Sequence, residues 1–229
     1  MKNGKLILWS IVLFGILVSG AYYRFSKQTE TEHINSEVKA LGDVNFYAIN
    51  QELSKQLLII QSLKNYFEAS NFVSRDEFNV FVEPFLKKFP SIKALEWIPL
   101  VKNADRLKFE LRHRSKLLPD FQITERIKQG EMVRRSTNDE YFPVTYLEPF
   151  KGNEKALGFD LESNSSRAKT LKKSRTTGKM TATSRINLVQ EKGTSYGVLL
   201  VNPIFKAEGS QVREFEGFVT GVLKIGDMV

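Results

Sequence analysis

Apolar residues in the first third of the chain recur in steps of three and four. Ile34, Val38 and Leu41 are followed by Phe46, Ile49, Leu53, Leu57, Ile60, Leu63 and Phe67. That spacing draws one stripe along an α-helix. Residues 29–72 contain no proline and a single glycine, Gly42, so the pattern predicts one long helix with a weak point or phase change at Gly42-Asp43. The stripe suits a helix packed on its own domain. It equally suits a stalk that dimerises as a coiled coil and carries a signal. Ahead of it, residues 6–23 form a run of eighteen without a charge. As a helix this run reaches about 27 Å, close to the ~30 Å of a bilayer core. Trp9 and Tyr22-Tyr23 sit near its ends, as interfacial aromatics do. The run reads as an uncleaved membrane anchor over residues 1–24. A cleaved secretory signal is the alternative, because residues 18–21 are small enough for a cleavage point. Lys2 and Lys5 on one side nearly balance Arg24 and Lys27 on the other, so charge does not set the orientation. Either reading exports the rest of the chain.

Beyond the long helix the pattern changes. Ser74-Arg75-Asp76-Glu77 is a capping box. It predicts a helix carrying Phe78, Phe81, Val82, Phe85 and Phe89 as a core stripe, kinked or broken by Pro84. Residues 92–101 are rich in branched and aromatic side chains and predict a strand. Asn103 caps a helix with Leu107, Leu111 and Leu118 on one face and basic residues on the other, stopped by Pro119-Asp120. Strands are expected over residues 121–127 and 141–147, with turns at Gly130 and Lys151-Gly152-Asn153. Ser163 to Ser166 supply N-cap candidates for a helix carrying Ala168 and Leu171, with Gly178 as its C-cap. Strands over 180–189, 196–205 and 215–225, with Gly193 and Gly209 in the turns between them, complete the chain. Consecutive strands with short turns predict an antiparallel sheet flanked by helices, an α+β arrangement.

Composition narrows the function. Hydrophobic residues make up 41% of 229, with seventeen Phe, enough for one sizeable core. There is no cysteine, so no disulfide framework and no thiolate metal site. The net charge of +8 suits an anionic partner. Export makes nucleic acid the least suitable of these and leaves membrane surfaces or acidic ligands. The two histidines, His33 and His113, lie on the stalk and on a basic helix face. No Gly-rich phosphate loop, zinc-helix motif or calcium loop is present, so neither an enzyme nor a cofactor is expected. Arg106 and Glu110 stand at i, i+4 and are expected to form a salt bridge.

A longer pattern organises residues 74–229. Ala94-Leu95-Glu96-Trp97-Ile98-Pro99 is followed by Asp105-Arg106 and by Phe109-Glu110. Next come Tyr141-Phe142-Pro143-Val144, Tyr146-Leu147-Glu148-Pro149, Gly152-Asn153 and Leu157-Gly158-Phe159-Asp160. Arg167, Thr177-Gly178, Asn187-Leu188 and Asn202-Pro203-Ile204-Phe205 close the series. Each piece is weak alone, but the ordered set resembles the CHASE domain, the extracytoplasmic sensor of membrane histidine kinases and nucleotide cyclases. The resemblance implies a membrane anchor over residues 1–24 and a stalk helix over 25–73. A PAS-like antiparallel sheet flanked by helices would occupy 74–229. A second membrane helix and an output domain are expected beyond Val229.

The best-known members bind adenine-type cytokinins through an aspartate that matches Asp160. A carboxylate suits that task because it accepts hydrogen bonds from ring and exocyclic N–H groups. Asp160 reads equally well as a turn residue bonding local N–H groups. A pocket-wall residue, bulkier in the cytokinin receptors, matches Ala182, and the family's proline is replaced by Arg185. The smaller wall leaves room for a different ligand, and an inward-pointing Arg185 would pair with an anion. Candidate ligand contacts are therefore Asp160, Thr177, Ala182, Gly197 and Leu199, with Thr177 and Gly197 better suited to cap or packing roles. On this reading Asp160→Ala weakens binding without unfolding the domain. The expected partners are a small molecule, the membrane through the N-terminal helix, and a second copy through the stalk. The rival reading is a protein-interaction module with no small-molecule pocket. A cavity beside Asp160, Ala182 and residues 198–200 separates the two.

Overall fold

The computed structural model describes residues 2–114, 118–127, 130–187, 196–208, 212–224 and 226; its side-chain description excludes residues 2–8, 10, 12, 31, 34, 187, 207, 208, 212 and 213. The contacts divide the chain into two units, Met1–Gln51 and Glu52–Val229.

The sheet is built around β1 (Ile92–Pro99), β9 (Tyr196–Glu208) and β10 (Val212–Leu223). Branched and aromatic residues dominate these strands, and such side chains fit a pleated, buried surface. The order is β6-β1-β10-β9-β7, with β6 at Tyr146–Glu148, β7 at Thr181–Ala182 and β8 (Ile186–Asn187) also paired to β9. All pairings are antiparallel: Glu96 lies opposite Thr220 on one side and Leu147 on the other. The remaining elements are α1 (Lys2–Ala69), α2 (Arg75–Lys88), β2 (Val101–Lys102), α3 (Arg106–His113), β3 (Thr124–Arg126), β4 (Met132–Arg134), β5 (Glu140–Tyr141) and α4 (Ser165–Thr177).

Alternation along the strands sends side chains to two faces. Leu95 and Trp97 of β1, Leu200 and Ile204 of β9, and Val219 and Leu223 of β10 face one layer. There they meet Ile59, Ile60, Leu63 and Phe67 of α1, and Phe78 and Val82 of α2. Each such side chain, fully buried, stabilises the fold by about 1.5–3 kcal/mol. Polar bonds set the register of this packing. Asn202 Nδ2 donates to Gln61 Oε1 at 3.1 Å, and the Phe205 N–H donates to Glu68 Oε1 at 3.0 Å. Ala94 and Ile98, Leu199 and Val201, and Phe218 and Val222 face the other layer, with Phe142, Val144, Leu161 and Leu171. The α+β antiparallel arrangement expected from the strand pattern is therefore present.

α2 begins as its sequence requires. Ser74 Oγ accepts from the Glu77 N–H at 3.2 Å, while Glu77 accepts from the Ser74 N–H at 2.8 Å. Ser74→Ala is expected to lower the unfolding free energy by about 1 kcal/mol, read from urea midpoints. Pro84 lies inside α2 without ending it. α4 carries Asn164 as N-cap and Gly178, at φ 67°, as C-cap.

Besides Asn103, which opens a 3-10 turn rather than capping a helix and whose Oδ1 accepts from the Tyr141 hydroxyl at 2.9 Å, three expectations change. Leu107 and Leu111 of α3 are exposed, while Arg106 and Glu110 are buried. The polar face turns inward because every charge on it is matched. Glu110 accepts from Arg106 Nε at 2.9 Å, from the Ile123 N–H at 3.1 Å and from Arg134 at 2.9 Å. Arg106 also donates to the Tyr141 hydroxyl at 3.2 Å. Second, the strand expected over 141–147 divides into β5 and β6. Pro143, between them, has no N–H for a ladder. β5 pairs with β2, whereas β6 pairs with β1. Third, the strand expected over 180–189 shrinks to β7 and β8. Residues 188 and 189, the turns at Gly193 and Gly209, and the end of the strand at Ile225 lie outside the described residues.

Among the described residues no helix is long and apolar enough to cross a membrane. The run over 6–23 is helical, but five of its side chains, at 6–8, 10 and 12, fall outside the described ones.

Candidate ligand-binding site

A charged residue stands where the sheet's second face should be apolar. Glu96 is in the middle of β1, flanked along the strand by Leu95 and Trp97, and is buried. Thr220, directly across on β10, donates its hydroxyl to Glu96 Oε2. Burial pushes the Glu96 carboxyl above the usual carboxylate range, against the opposing influence of the Thr220 hydroxyl and of Arg167.

Over Glu96 lies a cavity of about 410 Å³. Glu96, Leu199 and Val222 form its floor, one from each central strand. Val144, Phe159 and Leu161 supply apolar walls. Arg126 and Met132 come from the β3–β4 hairpin, Lys155 and Ala156 from the turn before Phe159, and Arg185 and Ile186 from β8 and its approach. The first turn of α4 completes the enclosure. Asn164 Oδ1 accepts from the Ser166 and Arg167 N–H groups at 3.1 and 3.2 Å, which fixes where that helix begins. Arg167 then reaches the cavity with its guanidinium 5.2 Å from the centre of the Phe159 ring. Its Nε is buried and has no hydrogen-bond partner among the described residues. Burial lowers the pKa of Arg167, and the Glu96 carboxylate opposes that shift. Arg185 lies 3.6 Å over the Tyr196 ring.

The five residues singled out from the sequence do not converge on this cavity. Leu199 lines it. Asp160 sits between two lining residues, Phe159 and Leu161, but its carboxylate is directed into the protein. It accepts from Arg135 Nε at 2.8 Å, the Phe142 N–H at 2.9 Å and the Glu162 N–H at 3.2 Å. Ala182 is exposed and pairs with Leu200. Thr177 is exposed near the C-terminus of α4, its hydroxyl donating to the Lys173 carbonyl at 2.8 Å. Gly197 is buried where β9 pairs with Ile186.

Glu96 and Arg167 escaped sequence reasoning as functional residues. A signal for Glu96 was present, since one acid inside an apolar strand paired on both sides must be buried. Nothing in the local sequence marks Arg126 and Arg167 as site residues, whereas Arg185 stands out there as an anion partner if it points inward. Here they converge, because short strands and helix starts turn them to one opening.

Because the folded protein holds the Glu96 proton at a pH where the unfolded chain has released it, stability has a defined slope. It should fall as pH rises from the ordinary carboxylate value through the raised folded value, then level off. Glu96→Gln should remove that component from a plot of urea midpoint against pH. An unchanged plot would mean that the carboxyl is not held in this way.

A second, wider cavity of about 800 Å³ lies among Phe72, Trp97, Phe109, His113, Tyr146 and Phe150. Two of its polar groups are used within the protein. Arg75 donates to the Thr145 carbonyl at 2.8 Å, and Glu148 accepts from the Phe150 N–H at 3.0 Å.

A family model described as the CHASE domain matches residues 71–229. The chain is also 23% identical, over 175 residues, to hybrid signal transduction histidine kinase A of Dictyostelium discoideum. That match covers 74% of this chain and 8% of the kinase. The match to the kinase thus reaches only a small part of it. The family match spans the sheet, both of its faces and the cavity over Glu96. On that extent the chain belongs to the CHASE domain family, the sensor modules of signal-transduction receptors.

Proposed function

We propose that this chain is the extracytoplasmic ligand-sensing region of a membrane-anchored receptor, and that the cavity over Glu96 is where a small molecule binds. The observation that carries this reading is the cavity's chemistry. A buried carboxyl group and a half-buried arginine whose Nε is buried and, among the described residues, unpartnered line one cavity of mixed polar and apolar surface. Buried polar groups left unmatched cost about 1–3 kcal/mol each. A ligand that supplies the missing contacts recovers that cost on binding.

The rest of the receptor reading rests on α1. Trp9, Phe14, Tyr22 and Phe25 are each about 70% exposed in the single chain. Such a run of uncovered apolar side chains favours a lipid environment over water. Farther along, Val38, Leu41, Val44 and Phe46 are similarly uncovered. They suit the face of a homodimeric stalk. The last turns of α1 pack on β9, whose Leu199 lines the cavity. Binding that repositions β9 would therefore act on α1 and bias an output domain outside this chain. On this reading the chain is not itself an enzyme and has no nucleic-acid partner.

Thermal unfolding of the full chain in detergent micelles, against purines, amino acids and small anions, tests the proposal. At least one class should raise Tm in a concentration-dependent way. No stabilisation by any class would favour a module that senses a partner protein instead.

A further inference from the structure

The cavity's charge pattern narrows the ligand. Among the described residues four cationic side chains, Arg126, Lys155, Arg167 and Arg185, line it against the single carboxyl group of Glu96. That balance calls for an anionic group. The orphaned Nε of Arg167 calls for the same thing in a particular shape, because Nε and a terminal N–H of one guanidinium together match the two oxygens of a carboxylate. The Phe159 ring under Arg167 holds the guanidinium plane in place. Glu96 calls for the opposite group. It has the Thr220 hydroxyl on one oxygen, and a second negative charge beside it would be strongly opposed in this buried position. An ammonium would instead satisfy it. Between these poles the surface is aliphatic and aromatic, from Val144, Leu199, Val222 and Phe159.

We infer that the cavity over Glu96 recognises a free α-amino acid with an apolar side chain, its carboxylate on Arg167 and its ammonium on Glu96. This rests on the reading of that cavity as a small-molecule site and goes beyond it by naming the ligand's chemistry. An α-amino acid carries both charges on one carbon, so one small molecule meets both poles while its side chain covers the apolar wall. A simple anion leaves Glu96 unmatched, and a simple amine leaves Arg167 unmatched.

The test is calorimetric titration of the full chain in detergent micelles. The probes are L-leucine, 4-methylpentanoate, which lacks the ammonium, and 3-methylbutylamine, which lacks the carboxylate. L-phenylalanine, 3-phenylpropionate and 2-phenylethylamine form a parallel set. Binding of an amino acid is expected, weakened by at least about 30-fold on removal of either charge. Glu96→Gln, which keeps the shape and the Thr220 partner, should abolish the preference over the des-amino acid. Arg167→Met, which keeps contact with Phe159, should abolish the preference over the amine. If Arg167→Met does not fold, Glu96→Gln carries the test alone. Equal binding of a single-charge analogue and its parent amino acid would overturn the inference. So would a preference unaffected by Glu96→Gln. If neither amino acid binds but a purine or another small molecule does, the inference fails and the receptor reading stands. No binding from any panel sinks both.

Discussion

Asp160→Ala is expected to lower the unfolding free energy by about 3–5 kcal/mol, enough to unfold much of a marginally stable domain. The carboxylate is buried, and three donors converge on it: Arg135 Nε and the N–H groups of Phe142 and Glu162. Removing it takes one acidic partner from the Arg135 guanidinium, which among the described residues keeps Glu125 at 2.8 Å. It also leaves a buried N–H at Phe142 without its acceptor. The backbone around Asp160 links two otherwise separate segments. The Asp160 N–H donates to the Thr124 carbonyl at 2.8 Å, and the Val144 N–H donates to the Phe159 carbonyl at 3.0 Å. Loss of the carboxylate therefore loosens two walls of the cavity. The expectation of weakened binding with the fold intact gives way to one of general destabilisation. Urea unfolding of the two proteins decides between them: a midpoint unchanged by the substitution would restore a direct role in ligand contact.

Gly217→Ala is expected to cost about 2–6 kcal/mol, from backbone strain and overpacking of about 1–3 kcal/mol each. Gly217 has φ 148°, which side-chain-bearing residues rarely adopt. A Cβ there would stand 2.2 Å from the Ile98 carbonyl oxygen and 2.8 Å from the Pro99 Cα. Both are backbone atoms of the neighbouring strand and cannot rotate away. The register of β10 against β9 shifts at this point, between Phe215 and Gly217, so the glycine sits at an irregularity of the ladder. Gly42→Ala is the contrasting case. Nothing lies within 4 Å of the added atom, and alanine favours the helix by up to about 1 kcal/mol. Thermal unfolding of both variants checks the pair: a Gly217→Ala protein as stable as the parent would mean that β1 and β10 do not approach as described.

Local chemistry carried what was legible in the sequence. Caps act over three or four residues, so Ser74 with Glu77, an N-cap within Ser163 to Ser166, and Gly178 could be placed from neighbours alone. The Arg106–Glu110 pair is one helical turn apart and was equally visible. β1, β9 and β10 announced themselves as runs of branched and aromatic residues. Distant partners hid the rest. α3 turned its charges inward because Ile123, Arg134 and Tyr141, all remote in sequence, complete their bonds. Asp160 stood out in the sequence, but its partner Arg135 lies 25 residues away in a stretch without regular spacing. The candidate site had the same difficulty. Leu199 was reached through its strand, whereas Glu96 and Arg167 become neighbours only when β1 and the start of α4 meet across the second face of the sheet.

The cavity floored by Glu96, Leu199 and Val222 is expected to admit a ligand, and filling it should exclude one. Ala156 is half-buried on the rim of that enclosure, so Ala156→Trp should fill it while disturbing the core little. The thermal shift produced by a stabilising compound is to be compared between the parent chain and this variant, at equal concentrations. The shift should disappear in Ala156→Trp while cooperative unfolding is kept. A shift of the same size in both proteins would place the ligand elsewhere and contradict that expectation.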